Sequence, residues 1–321
     1  MSNRKEGVTK PLVSVIVPTY NAREKVDKLI DSIEAQDYEK YEVLFVDDGS
    51  EDGTYEYLKE RFKSNNKVHI YQKEHAGPGP ARRYGFQKCR GKYVVFIDCD
   101  DWFYSPCSLL TVNEILADDT VDACLINRKC HPTGGIRLPF ETQPSGDLLK
   151  AGIYGIDVLL GRQIRGNMSA KLFKREKMNE DMFIGAYNFE DMVASLIYLD
   201  SCKKIVYCEK PLQVCNTGSS RGSLTQTEGY EANTTMERAS NIIKAKKKIH
   251  SKPLRVSLAN IALNTYCHLS KSHIAARGKK TVLRQLEDIF CNEDLSSFYY
   301  SYSIKRRLLL KVLKAKRMIV R

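Results

Sequence analysis

The segment Lys92–Trp102, with the sequence KYVVFIDCDDW, constrains the fold more than any other stretch. Its apolar run YVVFI is mostly β-branched or aromatic, which predicts a buried strand. Asp98, Asp100 and Asp101 follow at once. A strand that ends in clustered acids directs them to the carboxyl edge of a sheet, where open α/β sheets bind ligands. Such carboxylates suit Mg²⁺ or Mn²⁺, particularly beside a substrate diphosphate, although a strand followed by an Asp-rich turn fits the segment equally well.

Strand-like and helix-like segments alternate over the first 125 residues. Besides the segment above, strands are predicted at residues 12–17, 43–46, 68–71 and 121–126. This alternation predicts an α/β fold with a mostly parallel, doubly wound sheet flanked by helices. After the first strand, Asn21 and Glu24 have the spacing of a capping box, which predicts that the first helix begins there.

The length and the cysteine pattern limit the remaining possibilities. A chain of 321 residues can hold one large α/β domain and an appended part, or two domains. From about residue 228 the sequence is typical of Lys-rich amphipathic helices, so we place a boundary between an α/β domain at 1–217 and a helical region at 218–321. None of the ten cysteines forms a CxxC pair, which disfavours a zinc site. The N-terminus lacks the apolar core of a signal peptide, which predicts a cytoplasmic protein.

The last residues carry most of the excess positive charge. The chain has a formal net charge of +12, and residues 305–321 contain eight Lys or Arg and no acid. If residues 304–320 are helical, they present one apolar stripe, formed by Ile304, Leu308, Val312, Ala315 and Ile319. Such a helix either lies in an anionic membrane interface, which would place the protein at the inner face of a membrane, or packs against its own domain.

A second acidic strand end and a basic loop complete the candidate site. Asp47 and Asp48 follow the second strand, and Arg82 and Arg83 follow the Gly- and Pro-rich loop 73–80. Guanidinium groups at a helix start are suited to phosphate. No GxGxxG follows the first strand and no GxxxxGK[ST] occurs, which disfavours a dinucleotide-binding fold and a P-loop.

Together these segments resemble the N-terminal part of the family-two inverting nucleotide-sugar glycosyltransferases of bacterial type, which have a GT-A fold and build polysaccharides or cell-surface glycans. The resemblance is carried by VSVIVPTYN at 13–21, VDDGSEDGT at 46–54, AGPGPARRYG at 76–85 and FIDCDDW at 96–102, in the right order and spacing. The segment NFEDM at 188–192 resembles the acidic pair that heads a later helix of the family.

The resemblance implies a function and a set of site residues. The reaction would move a hexosyl or N-acetylhexosaminyl group from a UDP-sugar to a hydroxyl of a glycan, lipid-linked or polymer acceptor. Asp191 would be the general base, Asp100 and Asp98 would bind Mn²⁺ or Mg²⁺, and Asp48 would recognise uracil. The full set of implied substrate-binding residues is Pro18, Thr19, Asn21, Asp48, Gly77, Arg82, Asp98, Glu190 and Arg221. One departure is Arg83, because the family usually has Asn at this position.

Two other function classes stay open on sequence alone. A sugar-nucleotide nucleotidyltransferase can share a metal-bound acidic site, but it would release pyrophosphate where the transferase releases UDP. A non-catalytic protein that binds a membrane or nucleic acid is suggested only by the basic tail. The tail has no aromatic residues between its cations, which disfavours nucleic acid.

Overall fold

The computed structural model describes residues 12–131, 152–154, 168–169, 171–185, 187, 190–216, 230–271, 278–295 and 304–320. The chain divides into two compact units, each with its own core. The first unit comprises residues 1–154, 168–180 and 204–220, and the second comprises residues 155–167, 181–203 and 221–321. This division differs from a single boundary at residue 217, which stays a prediction for the limits of the catalytic domain.

The described strands of the first unit form one sheet. They are β1 Val13–Thr19, β2 Tyr41–Asp47, β3 Val68–Gln72, β4 Tyr93–Phe96, β5 Trp102–Phe103, β6 Ala123–His131, β7 Gly152–Tyr154, β8 Lys171–Lys174 and β9 Ile205–Asn216. The strand order is β3-β2-β1-β4-β8-β6-β9-β5, with β7 paired to β9. The described helices of this unit are α1 Asp27–Glu34, α2 Thr54–Arg61, α3 Pro78–Lys88 and α4 Ser108–Ile115.

Strands β1 to β4 are parallel, as the sequence predicts. Val13 of β1 is level with Tyr41 of β2 and with Tyr93 of β4, so the three strands run in step towards one edge. Beyond β4 the sheet is mixed, because β8 runs antiparallel to both β4 and β6. The direction of a strand relative to its neighbours is not encoded in its own residue pattern. This arrangement of a mixed sheet with flanking helices is the GT-A fold that the motifs imply.

The core lies around the central strands. All seven residues of β1 and all seven of β2 are buried, as expected for a sheet covered on both faces. Each such Val, Leu or Ile contributes about 1.5–3 kcal/mol when fully buried. Helix α3 packs tightly on β1, because a Cβ added at Gly85 would lie 2.5 Å from Cγ2 of Ile16. This contact fixes the helix that carries Arg82 and Arg83.

The starts of the first and third helices differ from the sequence predictions. Helix α1 begins at Asp27, so the capping box predicted at Asn21 is wrong. Asn21 instead has a left-handed backbone with φ +44°, and its Oδ1 accepts the N–H of Glu51 at 3.0 Å. Asn tolerates this conformation better than most residues, because its short polar side chain can bond locally. Helix α3 begins at Pro78, inside the segment predicted to be a loop, because proline is well suited to the first turn of a helix.

The described helices of the second unit are α5 Glu190–Asp200, α6 Tyr230–Lys246, α7 Lys252–Lys271, α8 Lys279–Cys291 and α9 Ile304–Val320. Helices α6, α7 and α8 pack on one another around an apolar interior that includes Ile242, Leu258, Leu286 and Phe290. The C-terminal region is therefore helical, as predicted, and α9 covers the predicted residues 304–320. Within the described ranges, no helix combines the length and apolar character needed to cross a lipid bilayer.

Candidate active site

The predicted nucleotide and acid motifs meet at the carboxyl edge of the parallel strands. Thr19 at the end of β1 is level with Asp47 at the end of β2, and the backbone N–H of Asp48 donates to the Thr19 carbonyl at 2.8 Å. β4 runs parallel to β1 on its other side, so Asp98 follows at the same edge. Pro18 and Thr19 are both buried in the last residues of β1. The structure thus brings three sequence motifs together at one edge.

Two loops at this edge are tied together by hydrogen bonds. Three successive backbone N–H groups after β1 donate to side chains after β2. These bonds are Asn21 to Ser50 Oγ at 2.9 Å, Ala22 to Thr54 Oγ1 at 2.9 Å and Arg23 to Asp52 Oδ2 at 3.0 Å. Since the side chain of Asn21 also accepts a backbone bond from Glu51, the loop after β1 is held in one conformation. A fixed loop beside a sheet edge provides a preformed wall for a ligand.

A further set of hydrogen bonds at this edge converges on the carboxylate of Asp48. Its carboxylate is buried and accepts bonds from Lys73 Nζ at 2.6 Å, from the Ala76 N–H at 3.0 Å and from the Gly77 N–H at 2.7 Å. His75 Nδ1 lies 2.9 Å from the same carboxylate. The positive φ of Gly77, +99°, is a backbone conformation that glycine adopts most readily, directly before α3. Asp48 therefore fixes the loop 73–77 against the end of β2.

An aromatic pair lies next to Asp48. The rings of Tyr20 and His75 are stacked, with centroids 4.2 Å apart and an angle of 27° between planes. Both side chains are partly exposed, Tyr20 at 41% and His75 at 42%. Partly exposed stacked rings beside a buried carboxylate offer the apolar face and the polar acceptor that a nucleobase needs.

Arg82 is the buried cation of the site. It lies on α3, its side chain is 8% exposed, and its Nη2 is 2.8 Å from Oδ1 of Asp98. The Asp98 carboxyl is itself 42% exposed, so one end of this ion pair reaches solvent. A buried guanidinium held by an exposed acid is placed to neutralise further negative charge at this edge.

The acids after β4 lie in an unfavourable electrostatic environment. Burial raises the pKa of Asp100, and the negative charge of Asp98 raises it further. Burial followed by the charges of Asp98 and Asp100 raises the pKa of Asp101 to about 8, although its Oδ1 accepts the Asn216 N–H at 2.9 Å. Burial also raises the pKa of the Cys99 thiol to about 12, so Cys99 is a neutral spacer. A cation at this cluster would relieve the repulsion among the carboxylates.

The protein alone offers only part of a coordination sphere there. Within the described ranges, no group of three or more His, Cys, Asp and Glu side chains is arranged to hold a metal ion. The side chains of Asp98 and Asp100 therefore fit a divalent cation as a partial ligand set. This composition suits Mg²⁺ or Mn²⁺, which usually complete their coordination with waters and substrate phosphates.

The second acidic pair belongs to the second unit. Glu190 and Asp191 occupy the first turn of α5, where the helix dipole favours negative charge. Glu190 is buried, Asp191 is partly exposed, and the Asp191 carboxylate accepts the Met192 N–H at 2.7 Å. The chain just before this turn is held by α6, because Glu237 accepts the Tyr187 N–H at 3.0 Å. Arg221 lies outside the described residues.

Arg83, the departure from the family pattern, lies at the surface. Its guanidinium forms an ion pair with Glu180, and both side chains are exposed. The residue next to the buried Arg82 is thus engaged in a surface contact, which accounts for a cation at this position.

Three residues that frame the edge do not figure among the site residues predicted from sequence. They are Tyr20, Lys73 and His75. Tyr20 lies within the PTYN segment and His75 directly precedes AGPGP, so their position in the chain is a usable signal. The contact of Lys73 with Asp48 spans 25 residues and has no local signature.

Comparison with known proteins agrees with this geometry. Residues 14–163 match the model of the family "Glycosyl transferase family 2". The match covers a little less than half of the chain and agrees with the family resemblance of the sequence motifs. A putative teichuronic acid biosynthesis glycosyltransferase, TuaG of Bacillus subtilis, is 40% identical over 93 residues, which are 29% of this chain and 37% of TuaG. The poly(ribitol-phosphate) β-N-acetylglucosaminyltransferase TarS of Staphylococcus aureus is 40% identical over 145 residues, 44% of this chain and 25% of TarS. These matches thus span well under half of either relative.

Solved structures share the fold. The crystal structure of S. aureus TarS 1–349 in complex with UDP-GlcNAc matches with a TM-score of 0.54 and 19% identity, covering 93% of this chain and 79% of that one. The mannosyltransferase PcManGT from Pyrobaculum calidifontis, solved with GDP-Man and Mn²⁺, matches with a TM-score of 0.53 and 19% identity, covering 97% and 81%. At this identity the likeness defines the GT-A fold.

Proposed function

We propose that the protein is an inverting glycosyltransferase that moves a hexosyl or N-acetylhexosaminyl group from a UDP-sugar to a hydroxyl of a glycan, lipid-linked or polymer acceptor. The observation that carries the proposal is the convergence of the family motifs of β1, β2 and β4 at one sheet edge. The match to the family model over residues 14–163 supports the same reaction class.

The nucleotide would bind between the loops after β1 and β2. Pro18, Thr19 and Asn21 would form one wall, and Gly77 would bring backbone close to the ligand. Asp48 would recognise uracil, whose imide N–H would take the place of one of the loop donors that its carboxylate accepts in the free protein. The solved complexes of TarS with UDP-GlcNAc and with UDP support a uridine donor.

The diphosphate would lie near Asp98, Asp100 and Arg82. Asp100 and Asp98 would hold a divalent cation, which supplies charge neutralisation for the leaving nucleotide. Arg82 would donate hydrogen bonds to phosphate oxygens, and Arg221 would add a contact from the loop that closes over the donor. The Mn²⁺ in the PcManGT complex supports a metal in this fold.

Asp191 would act as the general base, with Glu190 beside it in substrate binding. It would accept the proton of the acceptor hydroxyl while that oxygen attacks the anomeric carbon from the face opposite the nucleotide. The bond between the anomeric carbon and the phosphate oxygen breaks, and UDP leaves with the electron pair. This geometry inverts the anomeric configuration. A positioned base typically contributes about 10²–10⁴ in rate.

The deciding experiment is Asp191→Asn. We expect transfer to fall by about 10²–10⁴, while UDP affinity measured by calorimetry changes less than about twofold. The matched control is Asp181→Asn, since Asp181 is an exposed aspartate of the same unit that pairs with Lys248. An equal loss of transfer and UDP binding would contradict the assignment.

A donor screen identifies the reaction itself. Slow hydrolysis of UDP-, GDP- and dTDP-sugars in the presence of Mn²⁺ needs no acceptor, and we expect the UDP-sugar to be preferred. Release of pyrophosphate from a nucleoside triphosphate and a sugar phosphate would instead identify a nucleotidyltransferase.

A further inference from the structure

The most exposed large aliphatic side chains among the described residues lie on a single helix. Leu308 is 57% exposed and Val312 is 49% exposed, one turn apart on α9. Lys311 and Ala315 are also exposed, at the i+3 and i+7 positions that share their face. Isolated exposed leucines are common, but an apolar pair on one face forms a stripe. We call Leu308, Lys311, Val312 and Ala315 the outer stripe.

The opposite side of α9 is already occupied. Leu310 and Leu313 are buried, and α9 contacts α8. Lys314 Nζ donates to the carbonyl oxygen of Glu293 at 3.0 Å. The helix therefore combines the two alternatives that the sequence left open. It packs on its own unit through one face and leaves Leu308, Val312 and Ala315 of the predicted stripe exposed.

The positive charge of the C-terminal helix favours one kind of partner. Residues 304–321 contain eight Lys or Arg and no acid. A second copy docking on the stripe through a twofold axis would bring the same cations face to face, which is unfavourable. Nucleic acid would leave the apolar stripe uncovered, and α9 has no aromatic side chain on which bases could stack. An anionic lipid surface satisfies both the apolar side chains and the cations.

We propose that the outer stripe binds membranes rich in anionic phospholipid, with Leu308 and Val312 at the boundary of headgroups and acyl chains and Lys311 at the headgroup phosphates. This site does not depend on the proposed transferase chemistry. It would hold the enzyme at the surface where a lipid-linked acceptor is presented.

The test is cosedimentation of the full chain with vesicles of phosphatidylcholine, with and without phosphatidylglycerol. We expect binding only with phosphatidylglycerol, and weaker binding at high salt, because screening weakens exposed charge interactions. Leu308→Gln with Val312→Gln should lower the partition coefficient at least about tenfold, and Lys311→Gln should lower it about fivefold. Leu308→Trp should strengthen binding, because Trp favours the membrane interface. A gain that requires phosphatidylglycerol, with no pelleting in the absence of vesicles, cannot come from aggregation of misfolded protein.

Matched controls lie in the first unit. Tyr104→Gln removes another exposed large hydrophobic side chain, and Lys63→Gln removes another exposed cation. Both should leave vesicle binding unchanged. Unchanged binding of the Leu308→Gln, Val312→Gln variant would overturn the proposal. So would a dimer in solution that this variant converts to a monomer, since a second copy would then occupy the stripe.

Discussion

Two acidic strand ends lie on the same edge of the sheet, and the surroundings of their carboxylates differ. Asp48 after β2 is surrounded by donors, namely the Lys73 ammonium and the N–H groups of Ala76 and Gly77. Burial and the neighbouring charge of Asp98 raise the pKa values of Asp100 and Asp101 after β4, although Asp101 also accepts the Asn216 N–H. The first acid is satisfied by the fold and organises a loop. The second group would be stabilised by nearby positive charge. In our proposal the divalent cation that binds with the donor supplies this charge.

The largest effect on activity is expected for a substitution in the acidic group after β4. Asp100→Asn should lower transfer at least about 10³-fold, about 4 kcal/mol in the barrier, because a proposed metal ligand is lost. The folded protein without donor should be no less stable, because repulsion within the acidic group decreases. Initial rates of UDP release and urea unfolding measure the two quantities. Asp37→Asn, at an exposed position of the same unit, is the control. Activity within tenfold of the wild type would remove Asp100 from the ligand set.

A substitution of Asp48 should instead lower the stability of the folded protein. Asp48→Asn leaves the Lys73 ammonium, whose side chain is 17% exposed, without its counterion and places an amide against backbone donors. We expect the free energy of unfolding to fall by about 3 kcal/mol, measured by urea denaturation. Adding Lys73→Met should restore part of this loss, because the two residues interact directly. A loss below about 1 kcal/mol would show that the loop 73–77 does not need this connection.

Glu42 is another buried acid, and it should make the free energy of unfolding depend on pH. It is buried in β2, so desolvation would raise its pKa, but hydrogen bonds from Ser14 Oγ and from Arg90 outweigh burial and lower the pKa. A carboxyl whose pKa is lower in the folded state stabilises the fold above its unfolded pKa of about 4.3, and this contribution is lost as the pH falls further. The free energy of unfolding should therefore decrease below about pH 4.3. In Glu42→Gln that decrease should be smaller, which urea titrations across this range measure. An unchanged pH dependence would contradict the lowered pKa.

The smallest effect is expected at the departure from the family pattern. Arg83→Asn removes a surface ion pair with Glu180, and exposed pairs contribute about 0–1 kcal/mol. Stability and donor KM should both stay close to the wild type. If KM for the donor changes tenfold, Arg83 contacts the substrate and the surface ion pair is not its main role.

Sequence patterns located the edge but not its internal contacts. The strands up to β4, their parallel direction and the acids that follow them are predictable, because burial on both faces of a parallel sheet selects continuous runs such as YVVFI. The start of α1 was mispredicted, because Asn21 bonds to the loop after β2 and not to the helix that follows it. The roles assigned to Asp191, Arg221 and the metal ligands stay predictions.

By itself the sequence determined the fold class, the family resemblance and the edge where the motifs converge, since these follow from periodicity and from motifs a few residues long. Only the tertiary structure decided that Asp48 is surrounded by donors while burial and Asp98 raise the pKa of Asp100. It also decided that α9 docks through Leu310 and Leu313 and exposes Leu308 and Val312. The physical reason is that the donors and packing partners of these residues come from distant parts of the chain, and burial depends on contacts that local patterns do not record.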